Sequence, residues 1–505
     1  MRAWSCLALT LLLPAACQEP GVAGEASPVR PNIVFFFVDD MGWQDTSVAF
    51  HRERTALNDR YRTPNMERLA AEGIRFTQAY ASAICSPSRV SLMTGMNAAR
   101  HGVTCWTLRR DQSPEQRRAD VAGPDWPLNG LCAEDGVPRT VVATTLPQLL
   151  REAGYHTIHA GKAHFGAKGT PGEDPRNLGF DVNIAGGAIG GPGSYWGEKD
   201  FSAAWRDGDR IWDVPGLEEY HGQDIFLTEA ITREVLAELG RQEAADDDQP
   251  FYLYLSHYAV HAPLEADARY AARYEEMGLE GNAFKLATML EGMDKSLGDV
   301  LRWLEDHGEL DHTWVVFLAD NGAPSQVPRN LPLRGHKITP YEGGTRVPMI
   351  VRTPGAARAG ERTAAPVLIE DVFPSFLEVA GVEWAGRTRQ TVDGVSFLPL
   401  VRGDAAAEAA AAERPFIWHY PNTYDQPPSS TIRVGDWKLI HHHAGGGLEL
   451  FNLAEDLSET TDLAEARPAI RERLARRLAT LLRERGALMP IDMATGDAVK
   501  MADGH

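Results

Sequence analysis

Continuous apolar runs that end in polar residues are the clearest pattern in the first three hundred or so positions. Residues 32–38 read Asn-Ile-Val-Phe-Phe-Phe-Val and are followed at once by two aspartates. Similar runs occupy 157–160, 251–256 and 314–319. Runs of this kind are typical of strands buried on both faces, as in a parallel sheet that is covered by helices.

Helical patterns alternate with these strands. Residues 145–153 and 287–307 carry apolar side chains at helical spacing, and the second segment is the clearer of the two. The alternation predicts an α/β fold with a doubly wound, mostly parallel sheet flanked by helices. In such sheets the reactive groups collect at the carboxyl ends of the strands. A chain of 505 residues also favours one large core with a smaller appendage.

The pattern changes after an Ala/Glu stretch at 404–414, which is interpreted as a linker or a surface helix. Short strands separated by glycine turns follow and predict an antiparallel sheet. A final helix with one apolar face closes this part. We therefore predict a first domain over 31–403, a C-terminal α+β subdomain over 414–490 and a tail over 491–505. The predicted strands are 416–420, 430–434, 437–441 and 448–451.

The N-terminus has the features of an export signal. Residues 1–17 hold an early arginine, a short apolar run and small residues before Cys17, a pattern too short for a membrane span. The segment 12–17 resembles a bacterial lipoprotein box, although Pro14 departs from it, so lipidation of Cys17 and simple cleavage both stay open. Residues 18–30 read as a tether. The expected location is the periplasm, the outer membrane as a lipoprotein, or the medium.

Charge and cysteine content narrow the function. A net charge of −20 argues against nucleic acid or an anionic membrane as a partner. The signal segment holds two of the five cysteines, which leaves three in an oxidising compartment. An odd number indicates one thiol with a special fate. We expect Cys85 to be this special thiol and Cys105 and Cys132 to be a candidate disulfide. The alternative is that all three are unpaired cysteines that only fill space in the core.

Residues 85–95 read Cys-Ser-Pro-Ser-Arg-Val-Ser-Leu-Met-Thr-Gly. Pro87 suits the first turn of a helix, so Cys85 is expected at a helix N-terminus, where free N–H groups favour an anion. Arg89 can hold an anionic oxygen with its guanidinium fork. This segment resembles the sulfatase signature Cys-x-Pro-Ser-Arg, followed by Thr-Gly. Several fixed positions at fixed spacing make the resemblance specific.

The resemblance implies a type I sulfatase of the alkaline phosphatase superfamily, and it runs from Asn32 to about Arg485. In that family a maturation enzyme oxidises the cysteine to formylglycine (3-oxoalanine), here at Cys85. The hydrated aldehyde has two geminal hydroxyls. One attacks sulfur, and deprotonation of the other releases sulfate, whereas a serine would leave a stable sulfate ester.

Acidic residues follow two of the predicted strands directly. Asp39 and Asp40 come after the first run, and Asp320 and Asn321 come after 314–319, which predicts that both pairs project from one sheet edge. An all-oxygen set of this kind suits Ca²⁺, with Mg²⁺ less suited. No Cys and His cluster has zinc spacing. By resemblance, these four residues are the family's metal ligands.

Three further segments resemble family motifs that surround the sulfate. Residues 161–166 read Gly-Lys-Ala-His-Phe-Gly, His261 precedes Ala-Pro, and Lys337 closes the sequence Leu-Arg-Gly-His-Lys. The resemblance implies that Arg89, Lys162, Lys337, His164 and His261 neutralise the sulfate. We expect His261 with Lys337 to protonate the leaving alcohol and His164 to act as the base, although the two histidine roles are exchangeable.

A sulfated carbohydrate is the expected substrate, because the chain is exported and has aromatic, glycine-rich loops. Candidate substrate contacts are Arg109 and Arg110, for a neighbouring acid or sulfate, and His336, which departs from the family's usual small residue. The aromatic residues that could stack on sugar rings are Trp106, Tyr195, Trp196, Trp205, Trp212 and Trp418. His257 is interpreted as structural, and residues 441–443 (His-His-His) as a surface turn.

Two alternative functions compete with the sulfatase interpretation. A phosphate or phosphonate ester hydrolase of the same superfamily is disfavoured by the single oxygen-ligated cation site and the missing zinc ligands. A non-catalytic protein that binds sulfated glycans would keep Cys85 as a thiol. No transmembrane span and no nucleic-acid partner are expected.

Overall fold

The structure is a computed structural model and describes Met1, residues 30–245 and residues 249–504. The predicted signal and tether therefore fall, apart from Met1 and Arg30, outside the described residues, and so does Cys17. Within the described part, no helix combines the length and the apolar character that a membrane crossing requires.

The strands carry the labels β1 to β17 in chain order. They are β1 (Asn32–Val38), β2 (Ile74–Tyr80), β3 (Val121–Ala122), β4 (Leu131–Cys132), β5 (Val141–Val142), β6 (His156–Gly161), β7 (Val182–Ile184), β8 (Phe251–His257), β9 (Thr313–Ala319), β10 (Arg346–Arg352), β11 (Arg362–Thr363), β12 (Val367–Leu368), β13 (Phe416–Tyr420), β14 (Ser429–Val434), β15 (Trp437–His442), β16 (Leu448–Asn452) and β17 (Ile491–Asp492).

The α-helices are labelled in the same way. They are α1 (Ala56–Arg60), α2 (Pro64–Glu72), α3 (Cys85–Thr94), α4 (Ala98–His101), α5 (Leu146–Glu152), α6 (Leu227–Ala244), α7 (Ala271–Glu276), α8 (Gly281–Asp306), α9 (Glu342–Thr345), α10 (Val372–Val379), α11 (Leu398–Val401), α12 (Ala405–Glu413) and α13 (Pro468–Glu484).

The central sheet is mixed and mostly parallel, which confirms the predicted fold class. Its strand order is β11-β2-β10-β9-β1-β8-β6-β7, with β12 beside β2. The neighbours β1, β8, β9, β6 and β7 run parallel, whereas β10 is antiparallel to β9 and β2. Every residue of β1 is buried, as its continuous apolar run predicts.

Helices cover both faces of this sheet. The ring of Phe35 on β1 packs against Phe376 of α10, with 5.6 Å between the ring centroids. The next residue, Phe36, points the opposite way and contacts the ring of His257, which is hydrogen-bonded to Ser296 of α8 at 2.8 Å. This bond accounts for one ring nitrogen of His257, in line with the structural role predicted for it, while Nδ1 is buried without a partner.

The register of β1 with its neighbours positions the site. Val38 lies opposite His257 on β8 and opposite Ala319 on β9. Because the three strands are parallel, the residues that follow them leave the sheet at the same edge. Asp39 and Asp320 therefore emerge side by side.

The C-terminal part forms a four-stranded antiparallel sheet in the order β13-β14-β15-β16. Helix α13 packs on it through Leu474 and Leu478, which join Ile432 and Leu439 in one apolar cluster. The Ala/Glu stretch is helix α12, whose first turn is capped by the Asp404 side chain. The predicted tail begins with β17, which pairs with β3 of the first domain.

Two predictions are corrected by the structure. His441 and His443 are each only 3% exposed, so the histidine run is not a surface turn. Ser430 lies opposite His441 across the strands and hydrogen-bonds His443 Nε2 at 2.9 Å, and this cross-strand partner allows the polar run to be buried. Cys105 and Cys132 are buried free thiols rather than a disulfide, because sequence spacing does not fix the distance between two side chains.

Candidate active site

Cys85 is the first residue of helix α3 and lines a cavity of about 330 Å³. It is 3% exposed, and the whole helix is buried. Burial raises the pKa of the Cys85 thiol, although Lys162 and Lys337 act in the opposite direction. An unmodified thiol at this position is therefore a poor source of thiolate.

The residues that follow β1 and β9 form one cluster, as the sequence predicts. The backbone N–H of Asp40 donates to Asp320 Oδ1 at 3.1 Å, and Asn321 Nδ2 donates to Asp40 Oδ1 at 2.7 Å. Asp39 Oδ1 and Asn321 Oδ1 are buried and accept no hydrogen bond. Buried acceptors without a donor require an explanation, and within a cluster of carboxylates a bound cation is the natural one.

Three cations face the three carboxylates: Lys162 and Arg89 are fully buried, and Lys337 is partly buried. Lys162 Nζ lies 2.6 Å from Asp39 Oδ2, and Lys337 Nζ lies 2.5 Å from Asp40 Oδ1. Arg89 donates through Nε and Nη2 to Asp320 Oδ2 at 3.1 and 2.9 Å. These contacts bring together, at one strand edge, residues that are far apart in the sequence.

The carboxyl groups differ in how readily they ionise. Burial raises the pKa of Asp39 and that of Asp320, and their mutual repulsion adds to the pKa of Asp320. Burial also disfavours charge on Asp40, but Lys337 and His261 hold its pKa below the usual range. A further positive charge between Asp39 and Asp320 would therefore be stabilising.

Backbone carbonyls fix the tautomers of the two site histidines. His164 Nε2 lies 2.6 Å from the Thr107 carbonyl oxygen, which can only accept, so Nε2 carries the proton and the buried Nδ1 is bare. His261 Nδ1 donates in the same way to the Ala262 carbonyl at 2.8 Å, and its Nε2 lies 3.7 Å from Asp40 Oδ2. Burial lowers the pKa of His261 to about 4 and that of His164 well below its usual value.

A glycine-rich loop lies against both histidines. A Cβ on Gly190 would stand 2.5 Å from Cε1 of His164, and a Cβ on Gly191 would stand 2.5 Å from Nδ1 of His261. No side chain larger than hydrogen fits at either position without a shift. Sequence reasoning did not select these glycines, although the run at 186–193 is the signal that marks them.

Left-handed backbone is concentrated around the cavity. Four of its lining residues are not glycine and have a positive φ. Strained residues of this kind persist where the surrounding structure holds them for a function. They are Asp40 (58°), His164 (54°), Ile338 (76°) and Asp425 (57°).

Comparison with known proteins identifies the family. The sequence model described as Sulfatase matches residues 31–382, well over half of the chain. This chain belongs to the sulfatase family. A second model, N-sulphoglucosamine sulphohydrolase, C-terminal, matches residues 336–484. The chain is accordingly a sulfuric ester hydrolase.

Named relatives cover most of the chain. A sulfatase of Formosa agariphila is 28% identical over 499 residues, which are 87% of this chain and 85% of the relative. The N-acetylgalactosamine-6-sulfatase of Canis lupus familiaris is 31% identical over 432 residues, or 82% and 72% of the two chains. The crystal structure of Ps i-CgsB in complex with k-i-k-neocarrahexaose aligns with a TM-score of 0.69 at 25% identity, over 90% and 93% of the two chains.

The substrate residues predicted for this sulfatase separate into two groups. Trp106 and His336 line the cavity, whereas Arg109 and Arg110 do not. Arg109 pairs with Asp209 on the surface, and Arg110 lies 3.6 Å from Asp111. Since paired surface arginines lie outside the cavity walls, their contact with substrate stays a prediction.

The predicted aromatic contacts also divide into residues that line the cavity and residues that do not. Trp212 lines the cavity together with Trp106. Tyr195 and Trp418 are buried in the core, and the cavity wall includes neither Trp196 nor Trp205. Tyr424 and Asp425 also line the cavity, and no sequence motif marked this loop.

Proposed function

We propose that this sulfatase hydrolyses sulfate monoesters on a carbohydrate, using formylglycine formed from Cys85 and a Ca²⁺ ion at the tips of β1 and β9. The name of the canine relative specifies an N-acetylgalactosamine sulfate, and the aligned Ps i-CgsB structure contains a hexaose. The aromatic side chains in the cavity wall support a sugar ligand.

One observation carries the proposal. Cys85 shares its cavity with Asp40 and Lys337, next to two buried oxygens, Asp39 Oδ1 and Asn321 Oδ1, that have no donor. Carboxylate and amide oxygens are the ligands that Ca²⁺ prefers, so Asp39, Asp40, Asp320 and Asn321 fit such an ion. When bound, Ca²⁺ supplies positive charge for the nucleophile and for a sulfate oxygen.

Conversion of Cys85 explains how a buried position becomes reactive. The burial that raises the thiol pKa disfavours a thiolate, and an aldehyde hydrate supplies a hydroxyl nucleophile instead. Because Cys85 is 3% exposed, the maturation enzyme is expected to act before the chain folds. The free N–H groups at the start of α3 and the Arg89 guanidinium favour an anion beside residue 85.

The other polar residues then have separate tasks. Lys162 and Lys337 neutralise charge on the sulfate oxygens. His164 presents a bare Nδ1, which is the proton acceptor in the cavity that Cys85 also lines. His261 directs its bare Nε2 toward Asp40, and the Asp40 carboxylate favours a proton at that atom. Once Nε2 has taken up a proton, His261 together with Lys337 donates it to the leaving oxygen of the substrate.

Export is part of the same proposal. The N-terminal segment supports delivery to the periplasm, the outer membrane or the medium, with Cys17 either lipidated or removed. A mass measurement of the mature N-terminus distinguishes these outcomes: an acylated Cys17 carries the added lipid mass, and a cleaved chain begins after the signal.

Sulfate release from a panel of sulfated mono- and disaccharides tests the proposal. We expect Cys85→Ala to reduce release to background while the variant keeps its melting temperature. Cys132→Ala is the matched control, because Cys132 is also a buried thiol but does not line the cavity, and it should retain turnover. Sulfate release by Cys85→Ala, or faster cleavage of the phosphate ester of the same alcohol, would contradict the proposal.

A further inference from the structure

The cavity wall presents little fixed positive charge to a ligand. Lys337 is the one lysine or arginine among the described residues that line it. Arg89 and Lys162 are fully buried beside Asp320 and Asp39 and do not line the cavity, so their charge acts on the sulfate next to residue 85 and not on a second group. Once Lys337 faces the sulfate, the described wall therefore offers no further lysine or arginine to a second anionic group.

His336 contributes a hydrogen-bond acceptor to the cavity wall. Its Nδ1 lies 2.9 Å from the carbonyl oxygen of Lys337, so Nδ1 carries the proton in the neutral ring. No described residue bonds Nε2, which is therefore a bare acceptor on a side chain that lines the cavity. A hydroxyl group can donate to Nε2, whereas a sulfate or carboxylate has no proton to give.

Asp425 adds a second acceptor, and it is negatively charged. Its carboxylate is exposed and receives one hydrogen bond, from Gln426 Nε2 at 3.2 Å. No described lysine or arginine forms an ion pair with it. Asp425 lies on a left-handed turn next to Tyr424, so its position is fixed by a constrained backbone. An anion close to this carboxylate is repelled, and a hydroxyl donor is bound.

The shape of the cavity suits one sugar ring. Trp106 packs edge-on against Tyr424, with 5.5 Å between ring centroids, and Trp212 forms another part of the wall. Flat aromatic faces favour the C–H faces of a sugar. The volume of about 330 Å³ is small for a ligand pocket, which limits the enclosed part to about one unit.

We infer that the sulfate-bearing unit is a neutral sugar whose hydroxyl groups donate to His336 Nε2 and to the Asp425 carboxylate, and that a second anion beside it is rejected. The inference rests on the proposed function, because it assumes that the sulfate occupies the Cys85 end. It adds a substrate class, a singly sulfated neutral saccharide unit, and names the two residues that select it.

Matched pairs of saccharides test this inference. The members of a pair carry the same sulfate on the same sugar and differ in whether a carboxylate or second sulfate is adjacent. We expect kcat/KM for sulfate release to favour the neutral member by about tenfold or more. Asp425→Asn should lower the ratio of the two kcat/KM values toward one, and Asp425→Lys should lower it further or reverse the preference.

Two controls separate selection from general charge effects and from folding. Asp306→Asn removes the same charge from the exposed end of α8, away from the cavity, and should leave the ratio unchanged. His336→Leu should raise KM for the neutral member more than it lowers kcat. Isothermal titration calorimetry of both members of a pair with Cys85→Ala measures the same preference as a difference in Kd, without turnover.

The outcomes are distinct. Equal or greater activity on doubly anionic members, with a ratio that Asp425→Asn does not change, would overturn the inference and leave the sulfatase proposal standing. Absence of sulfate release from every pair, with neutral members still bound by Cys85→Ala, would instead overturn the proposed chemistry. A neutral preference that both Asp425 variants weaken would support the inference.

Discussion

Two buried charge clusters in this protein contain similar residues but differ in how many of their oxygen atoms have a partner. The first lies at the tips of β1 and β9, and the second lies between α9 and β15. In the second cluster Lys438 Nζ contacts Glu342 Oε1 at 3.0 Å and Glu459 Oε1 at 2.8 Å. Tyr80 Oη and Arg346 Nη1 donate to Glu342 Oε2 at 2.7 and 3.1 Å.

Every carboxylate oxygen of that second cluster contacts a cation or a hydrogen-bond donor. Glu459 Oε2 accepts from the Glu342 backbone N–H at 2.7 Å, and Glu459 Oε1, which accepts no hydrogen bond, lies 2.8 Å from Lys438 Nζ. None of these residues lines the cavity. The strand-tip cluster instead leaves Asp39 Oδ1 and Asn321 Oδ1 without a donor and adjoins the cavity. The completed cluster stabilises the contact between the two sheets, whereas the incomplete one is built to receive a ligand.

Removing one lysine from each cluster should separate these roles. Lys162→Met should lower kcat by roughly 10²–10³-fold, because a charge that stabilises the transition state is lost. Lys438→Met should instead lower the free energy of unfolding by about 3–5 kcal/mol, since two buried carboxylates lose the cation between them. Sulfate release and denaturant titration measure the two quantities on both variants.

The comparison fails if the folded fraction of Lys438→Met loses as much kcat as Lys162→Met. It also fails if Lys162→Met retains full turnover.

Calcium should stabilise the first cluster and not the second. A ligand at a hundred times its Kd adds about 2.7 kcal/mol to the unfolding free energy, so the melting temperature should rise with Ca²⁺ and fall with a chelator. Asn321→Ala should lose most of this increase. Asn422→Ala is the control, because Asn422 is also a buried asparagine with an unpartnered Oδ1, but it lies outside the strand tips. Identical melting of the unaltered protein in calcium and in chelator would be evidence against the site.

The smallest expected effect on stability is a pH dependence that comes from the buried histidines of the C-terminal sheet. Burial lowers the pKa of His419 and of His441 to about 4, from an ordinary value of 6.5. The unfolded chain therefore binds protons below pH 6.5 that the folded chain does not. The stability from these groups is complete above pH 6.5 and is lost as the pH falls toward 4. At about pH 5.5 the contribution of each histidine to the free energy of unfolding should have fallen by about 1 kcal/mol.

His441→Gln tests this pH dependence. The melting temperature of the variant should fall less steeply than that of the unaltered protein between pH 6.5 and 5. Parallel curves for the two proteins would show that His441 does not contribute.

Much of the strand-tip cluster could be predicted from sequence because its residues end recognisable strands. The apolar run of β1 identifies a fully buried strand, and parallel pairing with β9 then brings Asp39 and Asp320 together. The Cys85 segment is equally local, since it holds the nucleophile position, Pro87 and Arg89 within one helix. These features depend on short-range patterns, which sequence carries well.

The parts that could not be predicted depend on partners distant in sequence. The carbonyl of Thr107 sets the tautomer of His164, and Tyr424 and Asp425 reach the cavity from a loop of the C-terminal part. The burial of His443 depends on Ser430 across the sheet. No periodicity encodes such contacts, and for the same reason the sequence left open whether Cys105 and Cys132 form a disulfide, which the structure does not contain.

The mass of the peptide that contains residue 85 is the most direct test of the proposed chemistry. In active protein from a host with the maturation enzyme, we predict a peptide about 18 Da lighter than the cysteine form, as conversion to formylglycine requires. Fully active protein in which that peptide has the unshifted cysteine mass would contradict the account.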